Sequence, residues 1–194
     1  MGKFQNKYRN ESARAQWWNY GWNAAYFVTI CTKNRDHFFG RISDGIMVLS
    51  EIGVHAWNCW HEIPQHFPFV ILGEFVVMPD HVHGIIIIQK NDAIGTVIET
   101  QNFASLSQTP LQYHDWDGKT PMNHFGPQSQ NLASIIRGYK IGVTKNARLI
   151  NSTFQWQPRY HDHIIRNDEE FQRISNYIAN NPRNWEKDHT DEYP

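Results

Sequence analysis

The chain has 194 residues, 40% of them hydrophobic and 14% aromatic, with a formal net charge of −1 at pH 7. These values exclude a disordered chain and a globally basic nucleic-acid binder, so contact with nucleic acid has to come from a local patch. Cys31 and Cys59 form no CxxC pair, the polar residues 1–20 hold no leader core, and no apolar run approaches the roughly 20 residues of a membrane span. The expectation is one folded domain in a reducing cytoplasm.

Residues 1–23 read as an irregular N-terminal arm, a solvated tail that docks by Trp17 and Trp18. A single domain is expected over 24–185, with a polar insert at 91–130 and a tail at 186–194. Residues 24–32 are aromatic and β-branched and predict a strand; residues 37–42 suggest a short return strand. Ser43 or Asp44 is placed to cap a helix whose apolar face is Ile46, Leu49, Ile52, Gly53, Ala56, Trp57 and Trp60, ending at Pro64. Two strands, 69–77 and 82–89, flank the turn chemistry of Met78-Pro79-Asp80, and the four isoleucines 85–88 suit a central, buried strand. The insert is rich in Asn, Gln, Ser, Thr, Pro and Gly; its His114, Asp115 and His124 are expected in solvent.

A second helix is expected from Leu132 to Arg148. Its polar side carries Arg137, Lys140, Lys145 and Arg148 and no acidic residue, the pattern of a phosphate-contacting face. Residues 154–157 and 161–166 predict one strand or two around Pro158-Arg159-Tyr160. The last helix has Asn167 as N-cap, Glu170 in the capping-box position, an inward stripe of Phe171, Ile174 and Ile178, and Pro182 as its stop. This order predicts an α+β fold: a ferredoxin-like split βαβ arrangement, an antiparallel-centred sheet with helices on one face.

Two features bear on chemistry. His81 and His83 are i and i+2 at the entrance of a strand, so they project together and can share one divalent metal; a pair of hydrogen-bonded histidines is the plainer reading. Tyr177 and Asn181 are i and i+4 on the last helix, beside its buried stripe.

Taken together, residues 76–84, Ala25-Tyr26-Phe27-Val28-Thr29, residues 156–162 and Tyr177-Ile178-Ala179-Asn180-Asn181-Pro182 resemble the HUH single-tyrosine transposases, and within them the REP-associated tyrosine transposases of bacteria. The likeness covers roughly residues 20–185. It implies His81, His83 and Asn181 as metal ligands, Mg²⁺ or Mn²⁺ as the cation, and Tyr177 as the nucleophile. Asp80 stands where the family commonly has Asn, beside the metal and not on it. The implied activity is an endonuclease and strand transferase on single-stranded DNA with hairpin or palindromic repeats, acting through a 5′-phosphotyrosine. Arg159 joins the four basic residues of the second helix as a DNA contact, and a monomer is favoured over a homodimer. Tyr160 is the rival nucleophile, with no ligand one turn after it. The alternatives are a catalytically inactive hairpin-DNA-binding protein of the same fold, or a metal hydrolase using the histidines with Asp80 or Asp162.

Overall fold

The computed structural model describes residues 3–4, 7–8, 18–90 and 130–189. The arm, apart from a two-residue ladder of β1 (Lys3–Phe4) with β2 (Lys7–Tyr8) and residues from 18 on, lies outside them. So do the insert up to residue 129, with His114, Asp115 and His124, and residues 190–194. Both ends of the insert are tied down: Lys90 Nζ donates to the carbonyls of Gly21 (2.6 Å) and Gln130 (2.7 Å).

Four strands make the main sheet: β3 (Ala24–Cys31), β6 (Val70–Val77), β7 (His81–Ile88) and β8 (His161–Ile165), in the order β6-β7-β3-β8 with every pair antiparallel. This is the strand order of a ferredoxin-like split βαβ fold, as expected. β7 is central and buried along its whole length, which is why four consecutive isoleucines are tolerated there.

The alternation of β3 and β7 sorts their residues onto two faces. Tyr26, Val28, Ile30, Val82, Ile86 and Ile88 face α1 (Glu51–His61) and α3 (Leu132–Ile150), whose Ile52, Ala56, Trp60, Ile135, Ile136, Tyr139 and Val143 complete the larger core. Ala25, Ile85 and Ile87 face the other way, with Ile165 of β8, and are covered by Ile174 and Ile178 of α4 (Asp168–His189). Helices on one face therefore describes α1 and α3 only. The C-terminal helix crosses to the opposite face, because the inward stripe Phe171, Ile174 and Ile178 covers the second set of strand side chains.

Local chemistry departs from expectation in three places. The helix capped at Ser43 or Asp44 does not begin there. Asp44 and Gly45 have φ of 53° and 70°, a two-residue turn joining β4 (Gly40–Ser43) to β5 (Ile46–Leu49), and Ile46 and Leu49 belong to a strand. Ser50 is the N-cap instead, its hydroxyl accepting the Gly53 N–H at 3.0 Å. Pro64 does not close that helix: it ends at His61, and Pro64 sits in the first turn of the short α2 (Ile63–His66), where its missing N–H costs no helical bond. Pro182 does not stop α4, which runs through it to His189, so residues 186–189 of the expected tail are helical. Around 154–157 only Trp156 bridges, to Thr32, and β8 is the single strand of that region.

Candidate active site

The register of β3 on β7 places Thr29 opposite His83 and Cys31 opposite His81, all on the α4 face of the sheet. The two imidazoles converge, with Nε2 of His81 2.9 Å from Nε2 of His83. Each ring is held by its other nitrogen. His81 Nδ1 meets Oδ1 of Asp80, and His83 Nδ1 lies 2.8 Å from the Thr29 hydroxyl. A ring that gives its Nδ1–H to a carboxylate keeps a lone pair on Nε2, aimed at whatever lies between the rings. Burial, and then the facing His81, push the His83 imidazolium down to about 3, so at neutral pH it is an uncharged donor. Burial alone would raise the Asp80 carboxyl, but its bond to His81 and the nearby Arg35 guanidinium outweigh it and hold it below its ordinary value.

The histidines stand at a strand entrance, as the sequence indicates, but they are not open to solvent: His81 is 7% and His83 6% exposed. α4 is the reason. Tyr177 packs on His83 and Phe27, with ring centroids 5.4 and 6.2 Å away, and its hydroxyl is 3.5 Å from His83 Nε2. Two turns later Trp185 stacks on His81 at 5.9 Å. Asn181 is i+4 from Tyr177 and i−4 from Trp185, and so lies on the helix between the two rings that touch the histidines. It is 6% exposed, and among the described residues no hydrogen bond reaches its side-chain amide. Continuation of α4 past Pro182 is what brings Trp185 onto His81.

These donors suit a hard or borderline divalent cation. Two imidazole nitrogens 2.9 Å apart have the spacing of neighbouring ligands on a six-coordinate ion with bonds of about 2.1 Å. Asn181, buried and with no hydrogen bond to its side chain among the described residues, offers a third donor of no charge. Among the described residues no group of three or more His, Cys, Asp or Glu side chains is placed to hold a metal, so a carboxylate-rich centre is absent there. Asp80 is spent on the Nδ1 side of His81, and Asp162 alternates onto the α1–α3 face with Ile164, which disfavours both as ligands of a hydrolase.

Tyr160 packs against the larger core, on the face of the sheet away from the histidines. With Arg137, Lys140, Lys145, Arg148 and Arg159 it lines a cavity of about 580 Å³ between α3 and residues 159–160. All five basic residues singled out in the sequence thus meet in one depression, on the α3 side of the molecule. They are not equivalent. Lys140 Nζ donates to the carbonyls of Gln157 (2.9 Å) and Arg159 (2.8 Å), and burial lowers it to about 8. It ties down the segment before β8. Arg148 Nε donates to Phe154 O at 3.2 Å. Thr29, Arg35 and Trp185 escape a reading of the sequence, since they reach the site through strand register, a strained turn and a helix continued past proline.

The fold, with this strand order, is shared with a solved structure at low sequence identity. A solved structure described as a REP-associated tyrosine transposase bound to a REP hairpin matches with a TM-score of 0.55 at 17% identity, covering 90% of this chain and 74% of that one. The chain belongs to the same family as an uncharacterized protein of Haemophilus influenzae, to which it is 38% identical over 182 residues, 93% of this chain and 92% of that protein. No family model matches.

Proposed function

We propose that this protein is a metal-dependent, transposase-like enzyme that cuts and rejoins single-stranded DNA near hairpin or palindromic sequences through Tyr177. One observation carries the reading: the Tyr177 hydroxyl, 3.5 Å from His83 Nε2, faces the point where both imidazoles converge, on a helix that buries Asn181 one turn further on. Kinship of fold with a transposase that binds a REP hairpin supports the substrate class.

His81, His83 and Asn181 would hold Mg²⁺ or Mn²⁺, which when bound polarises a non-bridging phosphate oxygen. Tyr177 is 48% exposed, so its phenol can meet a phosphodiester and lose its proton to solvent. The phenolic oxygen attacks phosphorus, the bond from phosphorus to the 3′-oxygen breaks, and the leaving strand takes up a proton as a free 3′-OH. The remaining strand is held as a 5′-phosphotyrosine. That ester keeps the energy of the cut bond, so a second 3′-OH can reverse the step and join strands. Tyr177 faces the histidines of its own chain, which supports a self-contained site in one monomer.

The test is a denaturing gel of the full chain with end-labelled hairpin oligonucleotides, with and without Mg²⁺ or Mn²⁺. A metal-dependent slow band on the DNA 3′ of the cut is expected for wild type, and none for Tyr177→Phe at undiminished hairpin binding. Cleavage by Tyr177→Phe at the wild-type rate overturns the assignment. Hairpin binding without a covalent band, over metals and both strands, would instead establish an inactive binding protein.

A further inference from the structure

Arg35 follows β3 in a one-turn 3-10 helix, Lys33–Arg35, whose backbone is unusual. Asn34 and Arg35 have φ of 55° and 60°, the left-handed region that non-glycine residues rarely adopt in succession. Such geometry persists where its surroundings over-determine it, and it clusters at functional sites. Here the turn is fixed from the neighbouring connection. The N–H and hydroxyl of Thr32 both donate to the Asp80 carbonyl, at 2.8 and 2.9 Å. The result brings the guanidinium over Asp80. Arg35 Nε lies 3.5 Å from Oδ2, while one terminal nitrogen donates to Cys31 Sγ at 3.1 Å. The Asp80 side chain is only 4% exposed, and its other oxygen, Oδ1, meets His81 Nδ1. The carboxylate is therefore bridged between the Arg35 guanidinium, itself 57% exposed, and one imidazole of the site.

We propose that Arg35 is a positioning residue for the metal centre: it clamps Asp80 in the orientation that accepts the His81 Nδ1–H, and so aims His81 Nε2 at the cation. The assignment rests on the reading of His81 and His83 as ligands. It opposes what a guanidinium near a cation site does by charge alone, which is to repel the cation. The two effects differ in sign: loss of positioning weakens metal binding, and loss of repulsion strengthens it.

The experiment is a Mn²⁺ titration of the full chain, followed by the electron paramagnetic resonance signal of free aqueous Mn²⁺, with melting curves to establish folding. Arg35→Gln and Asp80→Asn are each expected to weaken Mn²⁺ binding about tenfold or more, the usual effect of losing an outer partner of a metal-bound histidine. The double variant is expected to bind no more weakly than Asp80→Asn alone, because the positioning effect of Arg35 runs through Asp80. Arg35→Lys, which keeps the charge and loses the fork, is expected between wild type and Arg35→Gln. Affinity of Arg35→Gln at or above wild type, or a loss that adds in full to that of Asp80→Asn, overturns the proposal. A wild-type chain that binds no Mn²⁺, or His81→Ala that binds it as wild type does, removes the ligand assignment and this role with it. A wild-type-like Arg35→Gln beside an impaired His81→Ala removes the role of Arg35 alone.

Discussion

Gly84 separates the histidine pair from the isoleucine run, and its two neighbours face α4 while it faces α1. A Cβ added there would stand 2.3 Å from Cζ2 and 2.7 Å from Cη2 of Trp60. That ring is fully buried and stacked on Phe75, with centroids 4.4 Å apart and planes 8° from parallel, so it has little room to retreat. Gly84→Ala should therefore destabilise the fold by about 1–3 kcal/mol or more, an overpacking cost in which β7 has to move. A urea melt measures it, and an unchanged midpoint would mean that Trp60 yields. At this scale much was legible. The i, i+2 spacing of His81 and His83 fixes a shared face, and the i, i+4 spacing of Tyr177 and Asn181 fixes another. The burial of the histidines was not legible, since it depends on α4 packing across the sheet. Nor was the role of Thr29, which needs the β3–β7 register to reach His83.

α4 is the element that makes the site, and its N-terminus is secured in a way the sequence states only in half. Asn167 Oδ1 accepts the Glu170 N–H at 2.8 Å, as its capping position implies. The reciprocal bond goes elsewhere. Glu170 Oε2 accepts the Arg166 N–H at 2.9 Å, and Oε1 meets His163 Nε2 at 2.8 Å, so the carboxylate welds the end of β8 to the start of α4. Burial alone would raise the Glu170 pKa, but the Arg166 N–H and His163 outweigh it and lower the value. A carboxyl lowered on folding stabilises above its unfolded pKa of about 4.3 and loses that contribution as pH falls through the folded value. Glu170→Gln should cost about 1 kcal/mol at pH 7. The gap to wild type should close as the melts are repeated towards pH 3; a gap independent of pH would assign the effect to packing. Pro182 and Asp44-Gly45 defy local expectation for opposite reasons. Proline ordinarily breaks a helix, but tertiary contacts such as Trp185 on His81 carry α4 past it, whereas at Asp44-Gly45 a two-residue hairpin turn lies beneath a helical spacing of apolar residues.

At the scale of the molecule the sheet is a partition. Tyr177, the histidines and Asn181 lie on its α4 face, while the basic cavity lies on the α3 side. If DNA follows both, holding and cutting are separable, and the basic residues should act on affinity more than on chemistry. They should also act unequally. Lys140 is bonded to two carbonyls of the segment it borders, so its replacement perturbs the fold as well as the surface. Lys145 and Arg159 line the same cavity without that duty, and they make the cleaner probe. Each phosphate contact contributes about 0.7 to 0.9 to the slope of log K against log salt. Lys145→Ala with Arg159→Ala should thus lower the magnitude of that slope by about 1.5 in a hairpin-binding titration. In the proposed reaction, the fraction of bound DNA joined covalently to Tyr177 should stay as in wild type. A slope that does not change would make this cavity a solvated face, and would leave the α4 side to hold the DNA.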